Sequence, residues 1–423
     1  MTPTPGALDH LKVLDLSRVL AGPYCAQMLA DLGADVIKVE RPKEGDDTRK
    51  WGPPFMPDAD GKPSGHATYY HSTNRNKRAI TVDMARPEGQ AIIKQLAAQS
   101  DIVVENFKAG GLKAYGLDYA SLSADNPRLI YCSVTGFGQD GPYAQRAGYD
   151  LMIQAMSGMM SITGHPDGEP GGGPLRVGVA ITDLFTGVFA CSSILAALEV
   201  RHRTGKGQHI DMALLDCGMA MLGNQAIGYL NTGAVPVRQG NTHPSLAPYQ
   251  DFETSDGSML LAIGNDGQFS RFSQAAGKPE WASDPRFATT AARNINRREL
   301  IPAMQAVTRT QTTAYWIALF DNKAVPCGPI NDIEQAFADE QVKHRNIRVK
   351  QPVALVYNAQ LATQNIANSE MMIGTVASPL RLVDTPPVLR RAPPAMGQHT
   401  DEVLAELGFD AARIAALKQG GIV

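Results

Sequence analysis

The sequence predicts an α/β protein with two domains. Strand and helix patterns alternate from Leu11 to Gly138, which is typical of a mostly parallel sheet with helices on its faces. The chain has 423 residues, more than the roughly 250–300 residues that one hydrophobic core supports. With 43% hydrophobic and 19% charged residues, its composition is that of a globular protein.

Apolar runs and helix signals define the elements of this first segment. The run KVLDL is continuous enough to be a buried strand. A helix follows it, with Pro23 near its first turn and Gly33 at its end, and Pro87 opens a second helix. The predicted elements are strands at 11–17, 34–42, 77–84, 100–107 and 127–138, and helices at 21–33 and 87–99.

Helical patterns dominate the sequence after Ala147. A long helix is predicted over 183–207, with a basic last turn that suits the helix dipole. The Pro- and Gly-containing stretch 233–248 is predicted to link two domains. Before this link, one helix is predicted over 148–164 and a strand leading into a helix over 208–216. After it, a β-hairpin is predicted over 251–265 with its turn at Asp256-Gly257, followed by mostly helical sequence to about Phe320. The C-terminal part is predicted to contain mixed strand and loop over 379–387 and a short final helix over 401–408.

Charge, apolar length and cysteine usage exclude several classes of protein. The net charge of −3 leaves no basic footprint for nucleic acid. The first residues show no secretory signal, and Gly187 and polar residues interrupt the most apolar stretch, so we expect no membrane span. Five dispersed cysteines without a CxxC pair argue for reduced thiols and against zinc, so we expect a cytoplasmic protein without a metal.

Two basic features are candidates for binding an anionic ligand. Asn74, Arg75, Asn76, Lys77 and Arg78 form a basic run before a predicted strand. Such a run is usually a solvated loop, but three positive charges beside two amides also suit phosphates. Arg41 follows the second predicted strand, at the edge where α/β sheets bind ligands.

Thr182-Asp183 opens the long predicted helix. Both residues are favoured at helix N-caps, so a structural cap is one interpretation. The other is a carboxylate nucleophile, which backbone N–H groups at the helix N-terminus would keep ionised and aligned. These residues alone leave both interpretations open.

Several longer runs closely resemble the family III CoA-transferases, the CaiB/BaiF class that includes formyl-CoA transferase. The resemblance spans nearly the whole chain in order, and its motifs are specific when taken together. They are VLDLSRVLAGPYCAQMLADLGADVIKVERPKEGDDTR, NRNKRAITVDM, VVENFKAGGLKAYGL, PRLIYCSVTGFGQDGPYAQRAGYD, ITDLFTGVFACSSILAALEVRHRTGKGQHIDMALLD, AVPCGPINDIEQAFADEQV and GQHTDEVLAELG.

The resemblance implies a fold and an assembly. A large Rossmann-like domain would be built from both chain ends, 1–225 and 336–423, with a smaller α+β domain at 226–335 between them. Two such chains would interlock in a homodimer. No permanently bound cofactor is implied, because coenzyme A and acyl-CoA are substrates.

The resemblance also implies a mechanism and a set of contacts. Asp183 would attack the donor thioester and pass through a mixed anhydride and an aspartyl-CoA thioester. Matched by position, the residues expected to contact CoA are Arg41, Asn74, Arg75, Asn76, Lys77, Arg78, Asn106, Phe107 and Lys108, with Tyr149 near the thioester.

Three departures from formyl-CoA transferase bear on the acceptor. Leu20 stands in place of an active-site glutamine, Ala114 in place of an arginine, and Gly240–Pro244 in place of a run of glycines. They indicate a different acceptor pocket, in which His243 would touch the acceptor. The chain is most similar to the branch that uses succinyl-CoA and dicarboxylates such as hydroxymethylglutarate, glutarate, itaconate or citramalate-like acids.

Two other functions suit the same resemblance. The 2-methylacyl-CoA racemases share this fold but pair an aspartate with a histidine where this chain has Tyr149. A tyrosine, whose pKa is ordinarily near ~10, is a poor α-proton base at neutral pH. A non-catalytic CoA-binding homologue is the second alternative, and an intact Asp183 argues against it.

Overall fold

The computed structural model describes residues 6–57, 61–352 and 372–423. By its internal contacts the chain divides into two units. The first comprises the residues up to 159, then 177–227 and those from 343 onwards, and the second comprises 160–176 and 228–342.

The elements are numbered in chain order. The strands are β1 Lys12–Asp15, β2 Asp35–Glu40, β3 Phe55–Pro57, β4 Pro63–Ala67, β5 Lys77–Thr81, β6 Ile102–Glu105, β7 Ile130–Thr135, β8 His209–Ala213, β9 Tyr249–Glu253, β10 Ser258–Ala262, β11 Cys327–Pro329, β12 Arg348–Pro352 and β13 Met372–Val376. The helices are α1 Ala21–Asp31, α2 Thr68–His71, α3 Pro87–Ala98, α4 Tyr119–Asp125, α5 Asp150–Met156, α6 Met159–Ile162, α7 Ile181–Thr204, α8 Leu214–Ala220, α9 Gly223–Thr232, α10 Asp266–Ala275, α11 Thr290–Ile295, α12 Arg297–Thr308, α13 Thr313–Asp321, α14 Ile333–Ala338, α15 Glu340–His344, α16 Thr400–Glu406 and α17 Ala411–Gln419.

The first unit is built on a six-stranded parallel sheet with the order β5-β2-β1-β6-β7-β8. Successive strands run outwards from β1 to β5, and the chain then returns to place β6 on the other side of β1. This is the strand order of doubly wound nucleotide-binding folds, and it creates a crevice at the carboxyl ends of β1 and β6. The predicted α/β class is therefore confirmed, and the crevice marks where a ligand is expected.

Helices cover both faces of this sheet, because a parallel sheet must bury both. On one face α1 and α7 pack against a core that includes Val36, Val104 and Ile194. On the other face α3 and α4 share a core with the C-terminal helices α16 and α17, through residues such as Leu404 and Leu417. Both ends of the chain thus contribute to the first unit.

The second unit contains the antiparallel sheet β11-β10-β9, with helices α10 to α13 beside it. Its core is rich in aromatic residues, including Phe252, Phe272 and Phe320. The predicted hairpin is confirmed, because β9 and β10 pair on either side of the turn at Asp256-Gly257.

Four local expectations are corrected. The single helix predicted over 148–164 is two helices, α5 and α6, because Gly158 adopts a left-handed φ of 89° between them. Residues 160–176, predicted within the large domain, belong to the second unit, where the N–H of Gly240 donates to the carbonyl of Gly164. No strand forms over 379–387, and the helix α17 follows the predicted final helix.

The predicted domain ends at 225 and 335 lie near the observed divisions, which follow residues 227 and 342. Among the described residues, α7 is the helix whose length and apolarity suffice to cross a membrane. Its packing against α1 and the sheet accounts for this apolar composition, because one side of the helix lies in the core of the first unit.

Candidate active site

The helix α7 places Asp183 in its first turn. The helix begins at Ile181, and Ala180 at its N-cap provides no side-chain hydrogen bond. Asp150 supplies the cap from outside: its Oδ1 atom accepts hydrogen bonds from the backbone N–H of Thr182 at 2.9 Å and from the Thr182 hydroxyl at 2.6 Å. Asp183 is therefore not a capping residue, and its carboxyl group is left for other chemistry.

A buried amide holds Asp150 in place. The side-chain Nε2 of Gln154 donates to Asp150 Oδ2 at 2.7 Å, and Gln154 Oε1 accepts the backbone N–H of Val177 at 2.9 Å. Gln154 is fully buried. The chain segment that enters α7 is thus tied to α5 on both sides of the helix start.

Asp183 is partly buried beside a second carboxylate. Burial, together with the negative charge of Asp150, raises the pKa of the Asp183 carboxyl group to about 7. Burial thus opposes the expected stabilisation of the ionised carboxylate by the helix N-terminus, because desolvation disfavours the charged form.

Tyr69, on α2, belongs to the same neighbourhood. Burial and the charges of Asp183 and Asp150 raise the pKa of its phenol. Its ring meets the edge of Trp51, with centroids 5.4 Å apart. Neither Tyr69 nor Asp150 could be predicted as a neighbour of Asp183 from sequence, because neither residue forms a local pattern with it.

A cavity of about 140 Å³ opens at the carboxyl ends of the central strands. Its walls are formed by the end of β2 and by residues that follow β1, β2, β5 and β6, as expected for a ligand site in a doubly wound sheet. They include Arg18, Arg41, Val82, Met84, Phe107 and Tyr115. The structure therefore brings the predicted residues Arg41 and Phe107 together in one cavity.

Among the described residues, the only ion pairs that two arginines of this cavity form are exposed ones. Arg18 pairs with Asp47 at 3.3 Å, and Arg41 pairs with Glu44 at 2.9 Å. Arg18 also lies over the ring of Phe107, 5.6 Å from its centroid. Because exposed pairs contribute at most about 1 kcal/mol, both guanidinium groups are available to an anionic ligand.

The structure corrects the prediction that residues 74–78 form a loop over the CoA phosphates. Lys77 and Arg78 begin β5, so the run lies towards the amino edge of the sheet, whereas the cavity lies at the carboxyl edge. All five side chains are buried. Their charges are neutralised inside the unit: Lys77 pairs with Asp15 at 2.8 Å, Arg75 with Asp31 at 2.6 Å, and Arg78 with Asp35, Glu402 and Glu406.

The remaining predicted residues have varied surroundings. The side-chain amide of Asn106 forms hydrogen bonds with the backbone of Arg18. Lys108 is exposed beside the cavity-lining Phe107. Tyr149 is 64% exposed at the start of α5. Leu20 is buried at the N-cap of α1. Their roles in binding stay predictions.

His243 lies in the second unit. Its Nδ1 accepts the backbone N–H of Ser245 at 3.0 Å, so Nε2 carries the proton of the neutral ring. Its role as an acceptor contact stays a prediction.

Among the residues that the structure describes, no group of three or more His, Cys, Asp or Glu side chains is placed to hold a metal ion.

Comparison with known proteins decides the family. The family model described as CoA-transferase family III matches residues 8–400. The chain belongs to CoA-transferase family III. This confirms the resemblance on which the assignment of Asp183 rests.

Named relatives of this family III chain cover nearly its whole length. The succinate–glutarate CoA-transferase of Agrobacterium fabrum is 48% identical over 95% of this chain and 95% of its own. The human succinyl-CoA:glutarate CoA-transferase is 40% identical over 98% of this chain and 90% of its own. A crystal structure of a CaiB/BaiF family protein from Brucella suis, 46% identical, covers 95% of this chain and 100% of its own with a TM-score of 0.81.

Proposed function

We propose that this family III CoA-transferase moves CoA from succinyl-CoA to a dicarboxylate such as glutarate, with Asp183 as the covalent nucleophile. The observation that carries the proposal is the Asp183 carboxyl group, which lies in the first turn of α7 and has no hydrogen bond or ion pair among the described residues. The names of the similar CoA-transferases support succinyl and glutaryl groups as the acyl pair.

The proposed reaction consists of four acyl exchanges. The Asp183 carboxylate attacks the thioester carbonyl of succinyl-CoA, which forms a succinyl-aspartyl anhydride and releases CoA thiolate. The thiolate attacks the aspartyl carbonyl of the anhydride, which forms an aspartyl-CoA thioester and releases succinate. Both steps conserve charge and need no proton.

The second half of the reaction mirrors the first. The acceptor carboxylate attacks the aspartyl thioester, which forms a new anhydride and releases CoA thiolate again. The thiolate then attacks the acceptor's acyl carbonyl, which releases the new acyl-CoA and restores the Asp183 carboxylate. Each step exchanges similar acyl bonds, so the protein's task is to position the groups and exclude water from the anhydride.

The pKa of Asp183 suits this role. A carboxylate whose pKa is about 7 is more basic than an ordinary aspartate and is therefore a stronger nucleophile when ionised. It is still substantially ionised at neutral pH. The burial that raises the pKa also restricts water near the anhydride.

The cavity at the carboxyl ends of the strands is the proposed site for the nucleotide end of CoA. Arg18 and Arg41 would exchange their exposed carboxylate partners for phosphate oxygens, which form stronger charge-assisted bonds. The rings of Phe107 and Tyr115 offer apolar faces to the adenine. Tyr149 and Leu20 are proposed to lie along the path towards the thioester.

We also propose a homodimer. Phe185 and Phe189 lie one turn apart on α7, and both expose more than a third of their surface. Exposed aromatic pairs of this kind mark association surfaces. Light scattering coupled to size-exclusion chromatography is expected to give twice the chain mass of 45.3 kDa, and a monomer at micromolar concentration would contradict the proposal.

A transfer assay tests the function. The protein is incubated with succinyl-CoA and glutarate, and glutaryl-CoA is measured by mass spectrometry, with other dicarboxylates as parallel acceptors. We expect glutaryl-CoA, and a CoA adduct on the peptide that contains Asp183. The variant Asp183→Ala should lose both, whereas Asp216→Ala, in the first turn of the neighbouring helix α8, should keep them. An adduct on another residue would refute the nucleophile.

The five cysteines are all free thiols in the structure. Free thiols support the prediction of a reducing, cytoplasmic environment. Fractionation of the native host's cells would test it.

A further inference from the structure

The turn between β1 and α1, residues Ser17 to Leu20, has a strained backbone. Val19 adopts a left-handed φ of 72°. For a β-branched residue this conformation is a genuine outlier and is sterically strained. Such a residue persists only when its surroundings hold it in place.

Side chains from three other segments hold this turn. Asn106, after β6, accepts the N–H of Arg18 at 2.8 Å and donates to the Arg18 carbonyl at 2.7 Å. Asp46 accepts the N–H of Val19 at 3.3 Å. Lys38, on β2, donates to the carbonyl of Ser17 at 2.9 Å.

Two of the side chains that bond to the turn are themselves fixed in the core. Lys38 and Asp46 form a buried ion pair at 2.9 Å. Asp46 also accepts the backbone N–H and the hydroxyl of Thr48. The turn is therefore hydrogen-bonded to side chains of other segments at three consecutive residues, Ser17, Arg18 and Val19.

The turn joins the two parts of the proposed site. On one side, Arg18 lines the cavity. On the other side, the carbonyl of Ala21 lies against α7 so closely that a Cβ atom on Gly187 would sit 2.8 Å from it. Gly187 is one helical turn after Asp183. Only Val19 and Leu20 therefore separate the cavity-lining Arg18 from Ala21, which contacts the first turns of α7.

We propose that the turn Ser17–Leu20 is a rigid spacer that sets the separation between the nucleotide cavity and Asp183, and that Asn106 is its positioning residue rather than a contact to CoA. This inference rests on the proposed function. The reason for such a device is geometric, because displacing a thioester by about 1 Å from its nucleophile can lower the rate roughly a hundredfold.

The test separates positioning from direct contact. Asn106→Ala is expected to lower kcat for succinyl-CoA and glutarate by roughly 10- to 100-fold, while the dissociation constant for CoA, from calorimetry on the full chain, changes less than about threefold. A CoA dissociation constant that rises in proportion to the lost activity, with kcat unchanged, would overturn the proposal.

A second substitution tests the role of the strained backbone. Glycine adopts a positive φ without strain, so Val19→Gly combined with Asn106→Ala should recover several-fold in kcat. Val19→Ala in the same background is the matched control, since it removes the branch but keeps a strained Cβ. Equal kcat values for the two double variants would refute the spacer. Asn106→Gln, which moves the amide by one methylene, replaces the alanine variant if that variant does not fold.

Hydrogen exchange provides a readout that does not depend on turnover. Asn106→Ala should increase deuterium uptake in both 17–22 and the first two turns of α7, and unchanged uptake in α7 would refute the coupling. Absence of transfer by the wild-type protein would refute the proposed function instead. The two failures are therefore distinguishable.

Discussion

The carboxylate of Asp150 accepts both the backbone N–H and the hydroxyl group of Thr182, the residue that directly precedes Asp183. This contact caps α7 and places a second negative charge beside Asp183. Burial and that charge raise the pKa of Asp183 to about 7. The structural cap and the proposed nucleophile are thus different carboxylates, and the first influences the ionisation of the second.

The rate of acylation by succinyl-CoA should depend on pH near neutrality. As the proposed nucleophile, Asp183 would attack only when ionised, so kcat/KM is expected to rise about tenfold per unit below its pKa and to level off above about 7. Stopped-flow or steady-state rates from pH 5 to 9 measure this profile. An ordinary aspartate would give a flat profile over that range, and this result would contradict the raised pKa.

Asp150→Asn should move the midpoint of that profile to lower pH. The asparagine keeps an oxygen for Thr182 but removes the negative charge, so a downward shift of roughly 1 unit is expected. Burial, the larger cause, remains. Asp216→Asn, in the first turn of α8, is the control and should leave the midpoint in place. A midpoint that moves upwards in Asp150→Asn would exclude the charge as a cause.

Asp183→Asn should stabilise the protein at neutral and alkaline pH. The folded state of the wild type binds a proton on Asp183 more tightly than the unfolded state does, so its contribution to stability is present below pH 3.8 and is lost as pH rises to about 7. Asp183→Asn does not lose this contribution, because asparagine does not titrate. Its free energy of unfolding should therefore exceed that of the wild type by an amount that grows over this interval to at most about 4 kcal/mol. Denaturant titrations at pH 5 and pH 8 provide the comparison.

Arg18→Ala and Arg41→Ala should each weaken CoA binding. Loss of one phosphate contact at an exposed site is expected to raise the dissociation constant about 3- to 10-fold, and added salt should reduce the difference. Arg203→Ala is the control, since Arg203 also forms an exposed pair, with Glu199 at the far end of α7. Identical affinities for all three variants would argue against the cavity as the nucleotide site.

Lys77→Met should destabilise the fold without weakening CoA binding by the folded protein. It leaves Asp15 buried without its ion-pair partner, which typically costs about 3–5 kcal/mol. The double variant Lys77→Met with Asp15→Asn should recover much of this loss. Chemical denaturation and calorimetry measure the two quantities. A selective loss of CoA affinity in a stably folded Lys77 variant would restore the original assignment of residues 74–78 to the phosphates.

Part of the cavity could be predicted from sequence, because the position of a residue relative to the end of its own strand is a local feature. Arg41 is expected near the ligand because it follows a predicted buried strand, and Phe107 is expected there because of the family resemblance; both line the cavity. The same rule points to Val82 and Met84, which follow β5, but the basic residues at the start of that strand were chosen instead. Charge alone misled, because buried cations and exposed cations have the same sequence pattern.

By itself, the sequence determined the α/β class, the hairpin of the second unit and the family, since strand and helix periodicities and family motifs are local or follow chain order. The tertiary structure decided which charged side chains are neutralised in buried ion pairs and which remain available to a ligand. Asp15, Asp31 and Asp35 neutralise the basic run, and Asp150 changes the ionisation of Asp183. The physical reason is that burial and electrostatic interactions depend on distances between segments that are far apart in the chain.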